Sequence, residues 1–288
     1  MVNICHEGPG FFISGVLEHV SARIWVNEYN AADPAALQNF LKETALQRGM
    51  GKIILPARED DGERLQGNGF VAEGTIEGYY GGTPALFLAA FTRPERGISL
   101  GYNAEMEMLK KIHRHKRVEE KKLPAGFTMR LAAKSDCTEM ATLFQEVFAS
   151  YPSPVYDPLY LARAMDKGDI YMLVCRGEKI AAVAAAEMQQ DQQRVEITNC
   201  ATDREFRGMG FNSLLIRRIQ RMCLARGTGC LYSLARASSY GMNIVLHRLG
   251  YMYRGTLINN CHIAGKFEDM NIWVRPRGRG SLLSGGAF

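Results

Sequence analysis

The sequence lacks several features that would place it in particular protein classes. Its seven cysteines are an odd number and include no CxxC pair, so neither a disulfide framework nor a zinc site fits. Its longest uncharged apolar runs, Ala85–Phe91 and Ile180–Ala186, are far shorter than the ~20 residues of a membrane helix. No basic start precedes an apolar stretch in residues 1–15, so no signal peptide is predicted. These absences predict a reduced cytoplasmic protein without metal and without a membrane partner.

The chain has an ordinary globular composition, with 47% hydrophobic and 23% charged residues in 288 positions. At roughly 150 residues per domain, this length predicts about two domains. The net charge of +5 is unevenly distributed, because residues 1–122 carry 15 Lys+Arg against 16 Asp+Glu, whereas residues 123–288 carry 20 against 14. A basic second part is compatible with nucleic acid, with an acidic cofactor or with a solvated surface.

A charged segment separates the two predicted domains. Lys110–Lys122 is followed by Pro124 and Gly126, which indicates a boundary between residues 122 and 123. His113 and His115 within this segment are interpreted as part of a solvated basic helix end. We therefore predict a first domain with its charged linker over residues 1–122, a second domain over 123–276, and a Gly- and Ser-rich tail over 277–288.

The second domain alternates strands and helices in the predicted order β-α-α-β-β-β-α-β-α-β-β, which indicates an α/β domain with a mixed sheet. Apolar residues recur at helical spacing in Phe211–Arg226, and three prolines exclude a regular helix over Tyr151–Pro158. The remaining predicted elements are Phe127–Ala132, Cys137–Phe148, Leu159–Met165, Ile170–Cys175, Lys179–Met188, Arg194–Ala201, Gly229–Ala235, Ser238–Leu249, Tyr253–Asn260 and Phe267–Val274.

The most informative stretch connects the strand Arg194–Ala201 to the helix that begins at Phe211. It contains Arg207-Gly-Met-Gly-Phe-Asn212. Two glycines at a helix start let the backbone approach a ligand closely, and the free N–H groups and helix dipole there attract an anion. Arg207 adds a permanent positive charge. The stretch is neither a Walker loop, because no Gly-Lys-Ser/Thr follows, nor a complete GxGxxG fingerprint.

The first domain repeats part of the second. Leu46–Gly51 corresponds to Leu224–Gly229, and Glu73–Ile76 corresponds to Arg254–Leu257, with an offset that changes only from 178 to 181. We interpret this correspondence as a duplicated half-domain, with chance similarity as the alternative. Residues 1–45 contain nothing like the glycine-containing loop, so the first domain is predicted to lack a cofactor site of its own.

The strand, loop and helix resemble motif A of the GNAT acetyltransferases, in which (Arg/Gln)-x-x-Gly-x-(Gly/Ala) holds the pyrophosphate of acetyl-CoA. Arg207, Gly210 and Asn212 occupy these positions, although Asn212 departs from the usual small residue. The resemblance implies a GNAT fold over residues 127–275, preceded by a smaller, partial GNAT-like α/β domain, and acetyl-CoA as cosubstrate. It implies the cofactor-binding residues Asn199, Cys200, Ala201, Arg207, Gly208, Met209, Gly210, Phe211, Asn212 and Asn243.

A closer resemblance is to the β-lysine N-acetyltransferases. It is carried by Ala235–Asn243, Leu249–Tyr251, Gly255–Asn260, Met270–Trp273, Ser150–Pro158 and, in the first domain, Gly69–Glu73 and Gly78–Tyr80. The family acetylates the terminal amine of 3,6-diaminohexanoate (β-lysine) and forms the compatible solute Nε-acetyl-β-lysine. The resemblance therefore implies an enzyme of osmolyte biosynthesis that acts on a small-molecule amine.

The resemblance also implies direct acetyl transfer in a ternary complex. Glu196 is the candidate that takes a proton from the amine or organises water, and a structural carboxylate is the alternative. Leu246 stands where related enzymes have a Tyr that protonates the departing thiolate, so Tyr240 is the candidate acid, with His247 nearby and a structural role open for both. Cys200 is interpreted as a small core residue. The candidate substrate-binding residues are Tyr156, Asp157, Arg236, Asn259, Asn260 and Asn271.

Three alternatives remain open at this point. The first is a GNAT enzyme for another amine, such as lysine or a polyamine, and the second is a non-catalytic acetyl-CoA-binding sensor. The third, a nucleic-acid-binding protein, is disfavoured because Arg217, Arg218 and Arg221 lie on the polar face of an amphipathic helix without an aromatic platform. The first domain either covers the active site or forms the interface of a homodimer.

Overall fold

A computed structural model describes residues 2–116, 121–189 and 193–276. The predicted tail over 277–288 and part of the charged segment lie outside the described residues. Within the described ranges, thirteen strands form one mixed sheet. No helix in those ranges is long and apolar enough to cross a membrane.

The second structural unit follows the predicted order of strands and helices, which confirms that prediction. Its elements are β7 (Thr128–Leu131), α4 (Cys137–Val147), α5 (Pro158–Asp166), β8 (Ile170–Arg176), β9 (Lys179–Gln189), β10 (Arg194–Thr202), α6 (Phe211–Ala225), β11 (Cys230–Arg236), α7 (Tyr240–Arg248), β12 (Met252–Ile263) and β13 (Lys266–Val274). The apolar stripe of α6, which includes Leu215 and Ile219, is buried against one face of the sheet, and Phe144 of α4 and Leu161 of α5 are buried against the other.

The first structural unit contains β1 (Val2–Gly8), β2 (Phe11–Glu18), β3 (Arg23–Ala31), α1 (Pro34–Gln47), β4 (Lys52–Arg58), α2 (Gly62–Leu65), β5 (Val71–Tyr80) and β6 (Thr83–Phe91). Its strand order, β1-β2-β3-β4-β6-β5, has the same form as β8-β9-β10-β11-β13-β12 in the second unit, including a parallel pair at β3–β4 and at β10–β11. The correspondence extends upstream of the predicted repeat, because β1 to β3 also have counterparts.

The two units join at equivalent strands. Gly74 of β5 and Gly255 of β12, which the sequence repeat aligns, are register partners in an antiparallel pair. A Cβ atom on Gly255 would lie 2.2 Å from the Glu73 carbonyl oxygen, so only glycine permits this approach. A buried apolar cluster that includes Tyr79, Phe87 and Ile272 contains residues of both units. The junction therefore makes the two units one continuous sheet.

The helix α3 (Tyr102–His113) lies between the two units in the sequence. Its buried residues Leu109 and Ile112 belong to the same apolar cluster as Leu246 of α7 and Trp273 of β13. The predicted first domain over 1–122 therefore includes a helix that packs on the second unit. The sequence does not indicate this packing, because charged residues at the end of the helix stand beside its apolar face.

Candidate active site

A cleft opens where the parallel strands β10 and β11 separate. The two strands pair only from Arg194 to Glu196 with Cys230 to Tyr232, and beyond this point neither is a register partner of the other. The cleft has a volume of about 1170 Å³ and is lined by residues of both structural units. Strands that separate leave backbone groups available to an inserted ligand.

One end of the cleft is a loop of positive character at the start of α6. Gly208 and Gly210 have φ angles of +82° and +85°, the left-handed conformation that favours glycine. Helix α6 has no side-chain cap and no acidic residue in its first turn, so its first N–H groups are not covered by a side chain. Arg207 and Lys121 also line the cleft. This arrangement suits an anion.

The corresponding position of the first unit is built differently. Asp33 caps α1 and accepts a hydrogen bond from the Ala36 amide at 3.0 Å, and Pro34 follows at the first helical position. A carboxylate therefore occupies the place where α6 presents free N–H groups. This helix start cannot bind a phosphate in the way that the start of α6 can.

The middle of the cleft contains an irregularity in β10. The register of β10 with β9 jumps from Thr198 to Ala201, which leaves Asn199 and Cys200 without partners in β9, and Asn199 has a φ angle of +48°. Desolvation raises the pKa of the Cys200 thiol to about 12, so the thiol is protonated at neutral pH. A neutral thiol without an activating base does not suit a nucleophile, but Cys200 is only half-buried and lines the cleft, so it is not the core residue that the sequence indicates.

Two carboxylates lie side by side in the cleft, because Glu196 of β10 and Glu187 of β9 are register partners. Desolvation raises the pKa of Glu196 to about 7, while a hydrogen bond from Tyr232 and the charges of Arg23 and Arg194 act in the opposite direction. Desolvation and the charge of Glu196 raise the pKa of Glu187 to about 8. Near neutral pH the pair therefore shares about one proton.

The first unit contributes a wall to the cleft. Arg23 of β3 binds Glu18 of β2 with two hydrogen bonds of 2.9 and 3.0 Å, and its guanidinium carbon lies 5.0 Å from the centroid of the Trp25 ring. Arg194 of β10 lies over the ring of Tyr79 of β5 at 3.7 Å. All five side chains line the cleft. This end therefore offers both carboxylates and guanidinium groups, unlike the basic end at α6.

Comparisons with known proteins agree with this geometry. The model of the acetyltransferase (GNAT) family matches residues 137–251. N-acetyltransferase YodP of Bacillus subtilis is 35% identical over 91% of this chain and 96% of its own length. Two proteins named β-lysine N6-acetyltransferase are also similar. That of Methanosarcina mazei is 35% identical over 82% of this chain and 94% of its own length. That of Methanococcus maripaludis is 30% identical over 80% of this chain and 84% of its own length.

This chain belongs to the β-lysine N-acetyltransferase family of GNAT enzymes. It is a GNAT-type N-acetyltransferase with a mixed α/β fold, and GNAT acetyltransferases use acetyl-CoA. The loop over Arg207–Asn212 fits the diphosphate of this cosubstrate, because its two left-handed glycines and the uncapped start of α6 form a cradle beside two cations. Among the described residues, no group of His, Cys, Asp and Glu is arranged to hold a metal ion.

The structure brings most of the predicted cofactor residues to the cleft. Those that line it are Asn199, Cys200, Arg207, Gly208, Gly210, Phe211 and Asn212. Asn212 stands where the usual residue is small. Its side chain accepts a hydrogen bond of 3.1 Å from the Thr202 hydroxyl, which holds it at the side of the loop. Ala201 is buried in the apolar cluster beside α4, and the side chain of Met209 packs on the α6 cluster, so neither side chain is among the lining residues.

The structure places Asn243 and Asn271 in a hydrogen-bond network beside the cleft lining. Asn243 donates to the carbonyl oxygens of Arg236 and Ser239 and accepts from Asn271 and from the Trp273 indole, all within 2.9 Å. Asn271 is fully buried. These amides satisfy one another between α7 and the terminal strands, because buried polar groups need partners there. Neither residue is among those that line the cleft, and a buried network of amides accounts for both.

Three further predicted substrate residues lie away from the cleft lining. Tyr156 donates to the Phe148 carbonyl at 3.1 Å, and Asp157 caps α5 by accepting from the Leu159 amide at 2.9 Å. The Asn259 amide donates to two backbone carbonyl groups that follow β6, at 3.2 and 2.9 Å. A local backbone function therefore explains each of these residues. By contrast, the predicted residues Arg236 and Asn260 do line the cleft.

The two predicted catalytic residues have different positions. Glu196 lies in the cleft, whereas Tyr240 is 44% exposed and its hydroxyl lies 3.2 Å from the His115 ring. Tyr240 is not among the residues that line the cleft, so its position does not suit proton transfer to a thiolate held there. His247 is bonded to the backbone of the same surface segment.

Several residues of the cleft are absent from the sequence-based prediction. They are Glu18, Arg23, Trp25, Tyr79, Tyr151, Glu187, Arg194 and Tyr232. Glu187 had a recognisable signal, because it is a carboxylate directly after the buried apolar run Ile180–Ala186. The residues of the first unit had no comparable signal, since only the junction of β5 with β12 brings that unit over the cleft.

Proposed function

We propose that this protein transfers the acetyl group of acetyl-CoA to the terminal (N6) amine of β-lysine, by direct attack in a ternary complex. The product would be Nε-acetyl-β-lysine, a compatible solute. The observation that carries the proposal is the polarity of the cleft: an anion-binding loop at one end and a set of carboxylates, guanidinium groups and amides at the other. The similarity to two β-lysine N6-acetyltransferases supports the substrate, because it extends over most of the chain and thus includes both walls.

The non-reacting end of β-lysine carries one carboxylate and one ammonium group, and the cleft offers partners for both. Arg194 is a guanidinium group that suits a carboxylate, whereas Arg236 stands at the other end of β11 from the register partner of Arg194, about 20 Å further along the strand. Glu18 and the amide oxygen of Asn260 are acceptors that suit an ammonium group. We assign Arg194, Glu18 and Asn260 to substrate recognition.

Glu196 is assigned as the proton acceptor. A terminal amine has a pKa near ~10.4, so it is protonated at neutral pH and cannot attack until the proton is removed. Glu196 has a pKa raised to about 7, so its base form is populated at neutral pH while it keeps appreciable proton affinity. Desolvation and the charge of Glu196 raise the pKa of Glu187 as well, so the proton that the pair shares limits the negative charge beside Glu196.

The cosubstrate supplies an activated acetyl thioester. We assign the loop Arg207–Asn212 to its diphosphate and the backbone of Asn199 and Cys200, which β9 leaves unpaired, to its pantetheine arm and thioester oxygen. No acidic side chain is required for the departing thiolate, because thiols have a pKa near ~8.5 and leave readily as anions. The absence of Tyr at Leu246 is therefore compatible with catalysis.

A second candidate function is acetylation of another small amine, such as lysine or a polyamine. Four carboxylates line the cleft, Glu18, Glu28, Glu187 and Glu196, and such a set also suits a polycation. The similarity to N-acetyltransferase YodP, whose name specifies no substrate, is as strong as that to the β-lysine enzymes.

A panel of amines distinguishes these candidates. Thiol release from acetyl-CoA should be measured with β-lysine, L-lysine, spermidine and a protein substrate at equal concentrations. The proposal predicts the highest kcat/KM for β-lysine. A higher kcat/KM for spermidine or lysine would mean that this amine, and not β-lysine, is the substrate. Tight CoA binding without turnover of any amine would indicate a sensor.

A further inference from the structure

Three consecutive carbonyl groups of β12 are held by three cations of the first unit. The register of β12 with β13 jumps from Leu257 to Cys261, so Ile258, Asn259 and Asn260 have no register partners in β13, although the Asn259 amide donates to Asp269 Oδ1 of that strand at 2.6 Å. Their carbonyl oxygens accept hydrogen bonds from the following groups: Lys52 Nζ to Ile258 at 2.6 Å, Arg96 Nη2 to Asn259 at 2.9 Å, and Arg23 Nη1 to Asn260 at 3.1 Å. We call Ile258–Asn260 the β12 bulge.

These cations are buried at the junction of the two units. Lys52, Arg96 and Arg23 are 0%, 4% and 7% exposed. Desolvation lowers the pKa of Lys52 to about 8, although the adjacent Glu73 carboxylate acts in the opposite direction, and it lowers the pKa of Arg96 to about 10. Lys52 and Arg23 are ion-paired with Glu73 and Glu18 there, which offsets part of the cost of burying their charges. The three long side chains therefore connect one backbone segment of the second unit to the first unit.

The β12 bulge presents Asn260 to the cleft. The side chain of Asn260 is fully buried and lines the cleft, and its amide nitrogen lies 3.7 Å from the Cys261 sulfur. Its Oδ1 atom has no hydrogen-bond partner among the residues that the structure describes. A buried carbonyl-type oxygen without a partner requires a donor, which a ligand in the cleft can provide.

We propose that the first unit positions the amine-recognition site, with Lys52 and Arg96 as positioning residues that hold the β12 bulge so that Asn260 Oδ1 accepts a hydrogen bond from the non-reacting ammonium group of the substrate. Arg23 takes part but also lines the cleft itself, whereas Lys52 and Arg96 do not line it. The inference rests on the proposed function, because it requires a substrate with a second ammonium group.

The test compares β-lysine with its deamino analogue, 6-aminohexanoate, which is the same molecule without the 3-amino group. The variants are Arg96→Met, which removes the Nη2 donor to the Asn259 carbonyl, and Asn260→Ala, which removes the Oδ1 acceptor. Arg96→Lys keeps the charge and one donor. Leu41→Ala serves as the matched control, because Leu41 is fully buried in the core of the first unit and lies in α1, away from the bulge. The KM of each amine, the Kd of CoA and the Tm are measured for each variant.

Arg96→Met and Asn260→Ala should each raise the KM of β-lysine about tenfold, the effect of one lost hydrogen bond to a charged group. Both variants should leave the KM of the deamino analogue and the Kd of CoA within about twofold of the wild type, because neither quantity depends on the second ammonium group. Arg96→Lys should have a smaller effect, and Leu41→Ala should lower the Tm without changing the KM ratio of the two amines. If Arg96→Met is insoluble, the KM ratio of Arg96→Lys decides.

An unchanged KM ratio in Arg96→Met, or an equal change in Leu41→Ala, would overturn the positioning role. Its failure is distinguishable from failure of the proposed function. If the wild-type protein does not acetylate β-lysine, the substrate assignment and this inference both fail. If the wild-type protein acetylates β-lysine but the variants keep the wild-type ratio of the KM values of β-lysine and 6-aminohexanoate, only the inference fails.

Discussion

Replacement of Glu196 by glutamine gives the sharpest prediction about the chemistry, because it keeps the shape of the side chain and removes its basicity. With a pKa near ~10.4, only about 0.04% of the amine is neutral at pH 7, and about 4% is neutral at pH 9. A general base typically contributes about 10²- to 10⁴-fold. We therefore expect kcat/KM of Glu196→Gln to fall about 10³-fold at pH 7.

The loss of kcat/KM in Glu196→Gln relative to the wild type should become smaller as the pH rises. The raised pKa of Glu196, about 7, means that the wild-type base form is lost as the pH falls, so wild-type kcat/KM should fall about tenfold per pH unit below pH 7 and level above it. The variant should instead gain activity as the amine loses its own proton, which reduces the deficit about 100-fold between pH 7 and pH 9.

The assay is thiol release from acetyl-CoA at subsaturating amine between pH 5.5 and 9.5. Glu178→Gln is the matched control, because Glu178 is an exposed carboxylate in the turn between β8 and β9. Its profile should match the wild type. A Glu196→Gln profile that runs parallel to the wild type at every pH would refute the base role and leave Glu196 as a structural carboxylate.

Three further predictions concern Glu196, the loop before α6 and the amide network at α7. Tyr232→Phe removes a hydrogen bond that lowers the pKa of Glu196, so that pKa should rise and the acidic limb of kcat/KM should move to higher pH, as a pH–rate profile would reveal. Gly208→Ala, at a φ of +82°, should introduce about 1–2 kcal/mol of backbone strain and weaken CoA binding measured by calorimetry. Gly227→Ala is its control: φ is +78° there, and an added Cβ atom would again have no neighbour within 4 Å, so this variant should lose similar stability without a change in CoA affinity. Asn243→Ala removes four hydrogen bonds and should lower the free energy of unfolding by about 3 kcal/mol in urea denaturation, with CoA affinity of the folded protein unchanged.

Much of the fold of the second unit is predictable from local sequence patterns. The order of strands and helices in the second unit follows from apolar periodicity and from turn residues, both of which act over a few positions. The glycine-containing loop at Arg207–Asn212 was recognisable for the same reason, since its two left-handed glycines and the helix start are contiguous in sequence.

Residues whose surroundings depend on distant strands were not predictable in this way. The amides of Asn243 and Asn271 meet because α7 packs near β13, and only that packing distinguishes a buried hydrogen-bond network from a ligand site. Likewise, Glu187 becomes a neighbour of Glu196 through the β9–β10 register. The sequence repeat aligned Gly74 with Gly255 but did not reveal that these residues join the two units.

Acetyl transfer to β-lysine is tested by identifying the product that the protein forms from β-lysine and acetyl-CoA. Purified protein should be incubated with both, and the product should be identified by tandem mass spectrometry while free thiol is quantified. The account predicts one acetyl group on N6 of β-lysine for each thiol released. An acetyl group on N3, or thiol release without acetylated β-lysine, would contradict it.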